Sequence, residues 1–470
     1  MKKSNKTRAR GFRAGAAEVD ITPAMGIQLA GDIGRCRPVE EIREPLYAKA
    51  LVIESGGKRI CLLSMDILAI TNRWADEIRR EAAARFGFDA DAVMVHVVQN
   101  HASPGIGHFF VWEEDEFNLF PKDCPWLLGG DDRYNAVAVE RVLKAIGEAA
   151  AALEPVRIEV GRGVDGRVAF NRRFVMRDGT ARTHPPACDP GILHCEGPID
   201  PDVAIMLFVG KGGKPVAACL HHTCHPVHGY PMRWVSSGWP GAWCDGVRGL
   251  FGAQCVPLVL NGFCGNIHHY NHLDPAFHDD YREMGRKLTE TTERVAKTLR
   301  PMKSTALESQ VRRLRIPLRR PTDEEVADAR RMLRQHPEPI WTDESKTAAS
   351  WDWVYAATRL DLAGHYDRNP VYDYFMQAFR IGDAGMVAVP GEPFVEEQLR
   401  IKLESPASLT VPVHMSNGYV GYLPTEQAFA RGGYETRTSN GSKLAHGALR
   451  MVGDASLALL HELFPRRDER

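Results

Sequence analysis

No two cysteines of this chain stand at Cys-x-x-Cys spacing, although there are ten of them. Several sit inside apolar runs, such as Cys61 in Ile60-Cys-Leu-Leu63 and Cys219 in Ala217-Ala-Cys-Leu220. A cysteine there behaves as a small buried hydrophobe, so a disulfide framework is not expected and a reducing compartment is. No apolar run approaches 18 residues, which predicts no membrane-spanning helix. The basic start, Met1-Lys-Lys-Ser-Asn-Lys-Thr-Arg-Ala-Arg10, has no apolar segment behind it. It therefore reads as a disordered tail over 1–11 rather than a signal peptide, and a cytoplasmic location is expected. Neither charge sign is in excess: the formal net charge is -1. No nucleic-acid or membrane-surface partner follows from that balance. There is no internal repeat and no low-complexity segment. What remains is a chain of 470 residues, 44% hydrophobic and 25% charged, long enough for a large core.

Short β-branched runs alternate with helical patterns. Ala50-Leu-Val-Ile53 and Ile60-Cys-Leu-Leu-Ser-Met65 flank a hairpin-like Glu54-Ser-Gly-Gly-Lys58. Trp74, Ile78, Ala82 and Phe86 then recur every fourth residue, and Gly87 closes the helix they predict. A second helix is predicted over 133–153. Buried strands are predicted over 92–98, 156–161, 203–209, 215–220, 256–261, 385–389 and 409–414. Further helices are predicted near 277–298, 323–335, 394–403 and 443–464. This alternation predicts an α/β fold with mixed sheets flanked by helices over 12–470. The polar stretch 320–370 is expected to be a helical insertion.

Eight of the 18 histidines fall in two short segments. His221, His222, His225 and His228 form one, and His268, His269, His272 and His278 the other. Imidazole is a common ligand for zinc and its neighbours and the usual acid–base group near neutral pH. The alternative for each histidine is an ordinary hydrogen-bonded place in the core or on the surface. Five predicted strands run into Gly/Pro turns carrying His, Asn, Glu or Tyr: Gln99-Asn-His101, the first histidine segment, Asn261 to His269, Pro390-Gly-Glu392, and Asn417-Gly-Tyr-Val-Gly-Tyr422. Sites in α/β sheets form where such strand ends converge. A His/Glu/Tyr set supplies nitrogen and oxygen ligands for zinc without a thiolate. The alternatives are a carboxylate favoured by a helix N-terminus for Glu392, and a half-buried aromatic pair for Tyr419 and Tyr422.

The same motifs resemble the neutral/alkaline non-lysosomal ceramidase family over roughly residues 12–464. The resemblance is carried by Ala14-Gly-Ala-Ala-Glu-Val-Asp-Ile-Thr-Pro23, Asn100-His-Ala-Ser-Pro-Gly105, Phe170-Asn-Arg-Arg173, Gly197-Pro-Ile-Asp-Pro201 ahead of Cys224-His-Pro226, Pro390-Gly-Glu392, Asn417–Tyr422 and Gly433-Tyr-Glu435. It implies the family's catalytic domain without its C-terminal immunoglobulin-like domain. It also implies a zinc, or another divalent metal, with His225, Glu392 and Tyr422 as ligands. Gln99 stands where the family has its first histidine ligand and would ligate through its amide oxygen, more weakly than imidazole; His101, His268 or a histidine of the 221–228 segment are the alternative substitutes. Arg172, Tyr434 and His101 take positions that contact the reacting group. Where the family's turn carries a catalytic serine, this chain has His268.

The leading expectation is a metal-dependent hydrolase of a small or carbohydrate-like amide or ester, using metal-activated water. His101 or His268 would move the proton, and Arg172 and Tyr434 would steady the oxyanion. Ser103 is not expected to be a nucleophile, since no base and orienting group are evident beside it. The same residues would also suit a metal-assisted lyase that removes a proton from a uronic acid, giving β-elimination. A third reading is a degenerate homologue that binds its ligand without turnover. The partner in each case is a small-molecule or saccharide ligand.

Overall fold

The computed structural model describes residues 11–113, 117 and 119–465, so the expected tail lies outside the described residues except for Gly11. Three sheets share one plan. In the first, β1 (Arg13–Asp20), β2 (Tyr47–Ser55) and β3 (Lys58–Met65) pair antiparallel, and β4 (Val93–Val97) lies parallel to β3. In the second, β5 (Arg157–Val164), β6 (Asp202–Val209) and β7 (Pro215–His222) pair antiparallel, and β8 (Val256–Asn261) lies parallel to β7. In the third, β9 (Leu307–Pro317), β10 (Val371–Ile381) and β11 (Ala384–Ala388) pair antiparallel, and β12 (Leu409–Val413) lies parallel to β11. A parallel neighbour needs a crossover, and each pair has a helix between its two strands.

Those helices cover the outer faces. The first sheet carries α1 (Asn72–Phe86) and α2 (Asp132–Ala151), and the second carries α3 (Gly238–Phe251) and α4 (Tyr281–Ala296). A packed pair follows, α5 (Asp323–Gln335) and α6 (Trp351–Arg368), inside the stretch expected to be helical. The third sheet is covered by α7 (Val395–Glu404) and, after the short α8 (Glu426–Arg431), by α9 (Ala448–Leu463). The mixed-sheet α/β architecture is the one the alternation predicted.

Strand periodicity explains why both faces can be dry. Along β3, Ile60 and Leu62 enter a core shared by all three sheets, while Cys61 and Leu63 enter the one under α1 and α2. Along β6, Met206 and Phe208 face the shared core, and Ile205 and Leu207 face α3 and α4. Successive side chains of a strand point to opposite faces, so each strand feeds two cores. Burial of each large side chain contributes roughly 1.5–3 kcal/mol.

The sheets are tied together where β4, β8 and β12 meet. His96 donates from Nδ1 to the His414 carbonyl at 2.9 Å and accepts from the Asn261 amide at 3.2 Å. The Asn417 amide donates to Val95 at 2.7 Å, and the His414 amide donates to Asn261 at 3.2 Å. Burial pulls His96 down to about 3, so the ring stays neutral as this pattern requires.

Two elements differ from expectation. The α3 segment contains Gly238, Pro240, Gly241, Gly246 and Gly249, a poor helical composition. It is helical because Trp239, Trp243 and Val247 bury against the second sheet. The strand β9 emerges from a stretch that reads as polar, with Arg312, Arg313 and Arg315 along it. Its eleven-residue register with β10 holds it.

Candidate functional site

The carboxyl ends of all three parallel pairs open into one cavity of about 460 Å³. Leu68 and Ala69 follow β3, and Gln99 and His101 follow β4. His225 and His228 follow β7, and His268 and His269 follow β8. Glu392 follows β11, and Tyr419 and Tyr422 follow β12. Helix α6 walls the cavity with Trp351, Val354, Tyr355 and Thr358, at i, i+3, i+4 and i+7 on one face. The volume suits a small organic ligand.

One wall gathers ligand-type atoms. His101 Nε2 lies 3.0 Å from His225 Nε2, and His225 Nε2 lies 3.9 Å from Glu392 Oε2. Glu392 is 2% exposed, and its Oε2 has no hydrogen-bond partner among the described residues. Its other oxygen accepts from the Tyr419 hydroxyl at 3.2 Å. Burial raises the Glu392 carboxyl, against the opposing pull of Arg172, Gln99, Tyr422 and Tyr419. His225 Nδ1 stands 3.4 Å from the Cys264 carbonyl, which frees Nε2 when the proton is on Nδ1. Burial, then the charges of Arg37 and Arg172, pulls His101 down to about 3, so its ring is neutral and competent as a ligand. Gly31 makes room for that ring: at φ +93°, a Cβ there would stand 2.5 Å from His101 Nδ1. Gln99 sits in the left-handed region at φ 68°, a conformation that costs a non-glycine residue energy. Its side-chain oxygen accepts from the Cys264 thiol at 3.8 Å.

Behind this wall lies a buried charge network. Arg172 donates to Glu435 at 3.2 Å, to the Gly265 carbonyl at 2.7 Å and to the Tyr422 hydroxyl at 3.2 Å. Its remaining nitrogen is 3.4 Å from His225 Nδ1. Glu435 also takes Arg173 at 2.7 Å and the Thr183 hydroxyl at 2.8 Å. Burial alone would lower Arg172, but Tyr434, Tyr422, Glu435 and Glu392 hold it well raised and charged. Arg172 Nε and Nη2 are therefore occupied, Nη1 stands beside His225, and the residue acts on the cavity through its field. Tyr434 reaches the same place by a 3.3 Å contact between its hydroxyl and that of Tyr422.

Beside this group runs a ladder of imidazoles. His228 stacks on His269 at 3.5 Å, and His269 stacks on His268 at 4.0 Å. His184 meets His268 edge-on at 4.5 Å and approaches His272 with Nδ1 3.4 Å from Nε2. His268 Nδ1 accepts from the Tyr270 amide at 3.0 Å. Its neutral ring therefore carries the proton on Nε2, which makes it a donor. Burial, then His269 and His184, holds His268 well below the ordinary histidine range.

Every sequence-predicted site residue, Gln99, His101, Arg172, His225, His268, Glu392, Tyr422 and Tyr434, lines this cavity. His221 and His222 do not; they donate to the Leu260 and Asp202 carbonyls at 2.8 and 3.0 Å inside the second sheet. Ser103 is buried, and its hydroxyl donates to the Asn100 carbonyl at 2.6 Å. His184, Asp279 and the α6 face also line the cavity but gave no sequence signal. His184 is an isolated histidine at φ 52°, and Asp279 is one acid among several in a loop. Among the described residues, no helix is long and apolar enough to cross a membrane.

No family model matches the sequence, and no curated protein matches it either. Solved structures do. Neutral ceramidase from Pseudomonas aeruginosa superposes with a TM-score of 0.73 at 18% identity, covering 97% of this chain and 75% of that chain. A ceramidase complexed with C2 gives a TM-score of 0.71 at 17% identity, covering 96% of this chain and 75% of that chain. The chain therefore has the ceramidase fold over 97% of its length.

Proposed function

We propose that this chain is a metal-dependent hydrolase of a small or carbohydrate-like amide or ester. The observation that carries the reading is the unpartnered, buried Glu392 Oε2 facing His225 Nε2. A buried carboxylate oxygen without a partner costs several kcal/mol unless a cation or donor meets it, roughly as for other buried charges. The donor set there, His225, Glu392, Tyr422 and His101, fits a borderline divalent metal such as zinc. His101 would take the place that Gln99 leaves, because its Nε2 stands 3.0 Å from His225 Nε2 while the Gln99 oxygen faces the Cys264 thiol. When bound, the metal supplies Lewis acidity, polarising a carbonyl and activating water.

The remaining residues of this chain bind and orient. Tyr434 stays protonated, because burial raises its phenol, and offers a hydroxyl where negative charge would develop on the substrate carbonyl. Arg172 adds its positive field through Tyr422 and His225. His268 offers an Nε2 proton as a donor rather than acting as a base. The apolar side of the cavity, Phe109, Phe110, Val227 and Met415, would exclude water and hold the substrate's non-reacting part. The β-elimination reading would place the substrate carboxylate on the metal or on Arg172, whose Nε and Nη2 are already taken by Glu435, Gly265 and Tyr422.

The test is a panel of small esters, amides and uronic-acid saccharides turned over in isotopically labelled water. Incorporation of the label, abolished by Glu392→Gln, is expected. An unsaturated product absorbing in the near ultraviolet would replace this reading with the lyase.

A further inference from the structure

Two loops, one bearing His228 and the other His269 and Asp279, leave a second group of ligand atoms in the cavity lining. His269 Nδ1 lies 2.7 Å from Asp279 Oδ1, and His228 Nε2 lies 3.2 Å from the same oxygen. The ligand atoms of the three residues all fall within 4.8 Å of one another. We infer that His228, His269 and Asp279 form a second metal site, separate from the Glu392 centre, for a borderline divalent cation such as zinc.

Three observations support it. The donor set, two imidazoles and one carboxylate, is one such cations accept, and the carboxylate offsets part of their charge. The two rings stack at 3.5 Å and 17°, which aims both nitrogens at one point beside Asp279. The imidazoles are buried, with 5% and 3% of their side chains exposed, while Asp279 is 35% exposed and borders the cavity. That leaves open coordination on the substrate side, as a metal that meets a ligand requires. The neighbouring trio His184, His268 and His272 is a weaker site. It has no carboxylate, and His268 Nδ1 is already taken by the Tyr270 amide.

The inference does not depend on the Glu392 centre, and one experiment separates the two. The full-length protein is saturated with zinc, freed of excess metal by desalting, and its bound zinc measured by plasma mass spectrometry. Near-ultraviolet circular dichroism confirms the fold of each variant. The wild type is expected to hold roughly two equivalents, as in two-metal sites. Asp279→Asn and His269→Ala should each hold roughly one, with the weaker site's cobalt(II) affinity lowered more than about 100-fold, beyond the usual effect of a mere orienting partner. Glu392→Gln should lose the other equivalent. A single equivalent that Glu392→Gln removes and Asp279→Asn leaves untouched overturns the second site. A single equivalent that Asp279→Asn removes and Glu392→Gln leaves upholds it and overturns the Glu392 centre instead. Loss of zinc in His272→Ala but not in His269→Ala moves the metal to the other trio and also overturns the inference.

Discussion

The two histidine segments look alike in sequence and differ completely in the fold. In the first, His221 and His222 lie within a strand of the second sheet, each donating to a backbone carbonyl, and only His225 and His228 reach the cavity. In the second, His268 and His269 follow a strand end and stack in the cavity, His272 pairs with His184, and His278 is exposed. A strand fixes the direction of each side chain by alternation and by its ladder partners, so the first segment divides sharply between core and site. A loop has no such constraint, and its histidines collect where other imidazoles and Asp279 already stand. Clustering in sequence thus signals chemistry only where the backbone ends a strand.

The largest expected effect sharpens this division. His225→Ala should abolish zinc binding at the Glu392 centre and cut ester or amide hydrolysis by about 1000-fold or more, the scale of losing a preorganised charge-stabilising group. Zinc content and initial rates check it. Retention of both would mean that His225 neither holds the metal nor takes part in turnover.

A smaller effect is expected in the second segment. His268→Ala should lower turnover by about 100- to 1000-fold, with zinc at the Glu392 centre kept. Because His268 is a donor, kcat should fall equally across pH 5–9, a range chosen around the ordinary histidine value. A variant that loses only the acidic limb of the profile would instead make His268 the base that the sequence suggested.

The smallest effect concerns stability alone. Burial, then Lys402, pulls the folded-state His221 down to about 3 from an ordinary 6.5. The unfolded chain therefore binds a proton that the folded chain refuses. The stability this contributes is present above pH 6.5 and is lost as pH falls toward about 3. The slope is about 1.4 kcal/mol per pH unit for one such group. His221→Gln should flatten the urea-midpoint profile by up to that amount between pH 6 and 4, a window inside the titration range. An unchanged slope would show that His221 is not a neutral core residue and would blur the line between the two segments.

Local signals carried far in this chain. The helix α5 was legible at 323–335, and the structure closes its start with a capping box of Thr322 and Glu325. The strands β8, β11 and β12 were legible because short β-branched runs end in Gly, Pro or Asn. The strand-end turns were legible for the same reason, and they carry Gln99, His101, His225, Glu392 and Tyr422. What escaped was set by distant partners. Helix α3 forms only because its tryptophans bury against the second sheet, and β9 forms only because β10 pairs with it. His184 and Asp279 had no signal, since a single histidine or aspartate in a loop has no period to betray it.

By itself, then, the sequence determined the elements, their α/β alternation and the polar residues at each strand's end, because these depend on neighbours a few residues away. Only the tertiary structure decided that three parallel pairs would point their ends into one cavity. That rests on contacts such as His96 with His414 and Asn261, which lie 318 and 165 residues away along the chain. The closure of such long loops is repaid only when all three sheets share one buried core. The same convergence sets Glu392 against His225, and Asp279 against His228 and His269, pairings that no local pattern could encode.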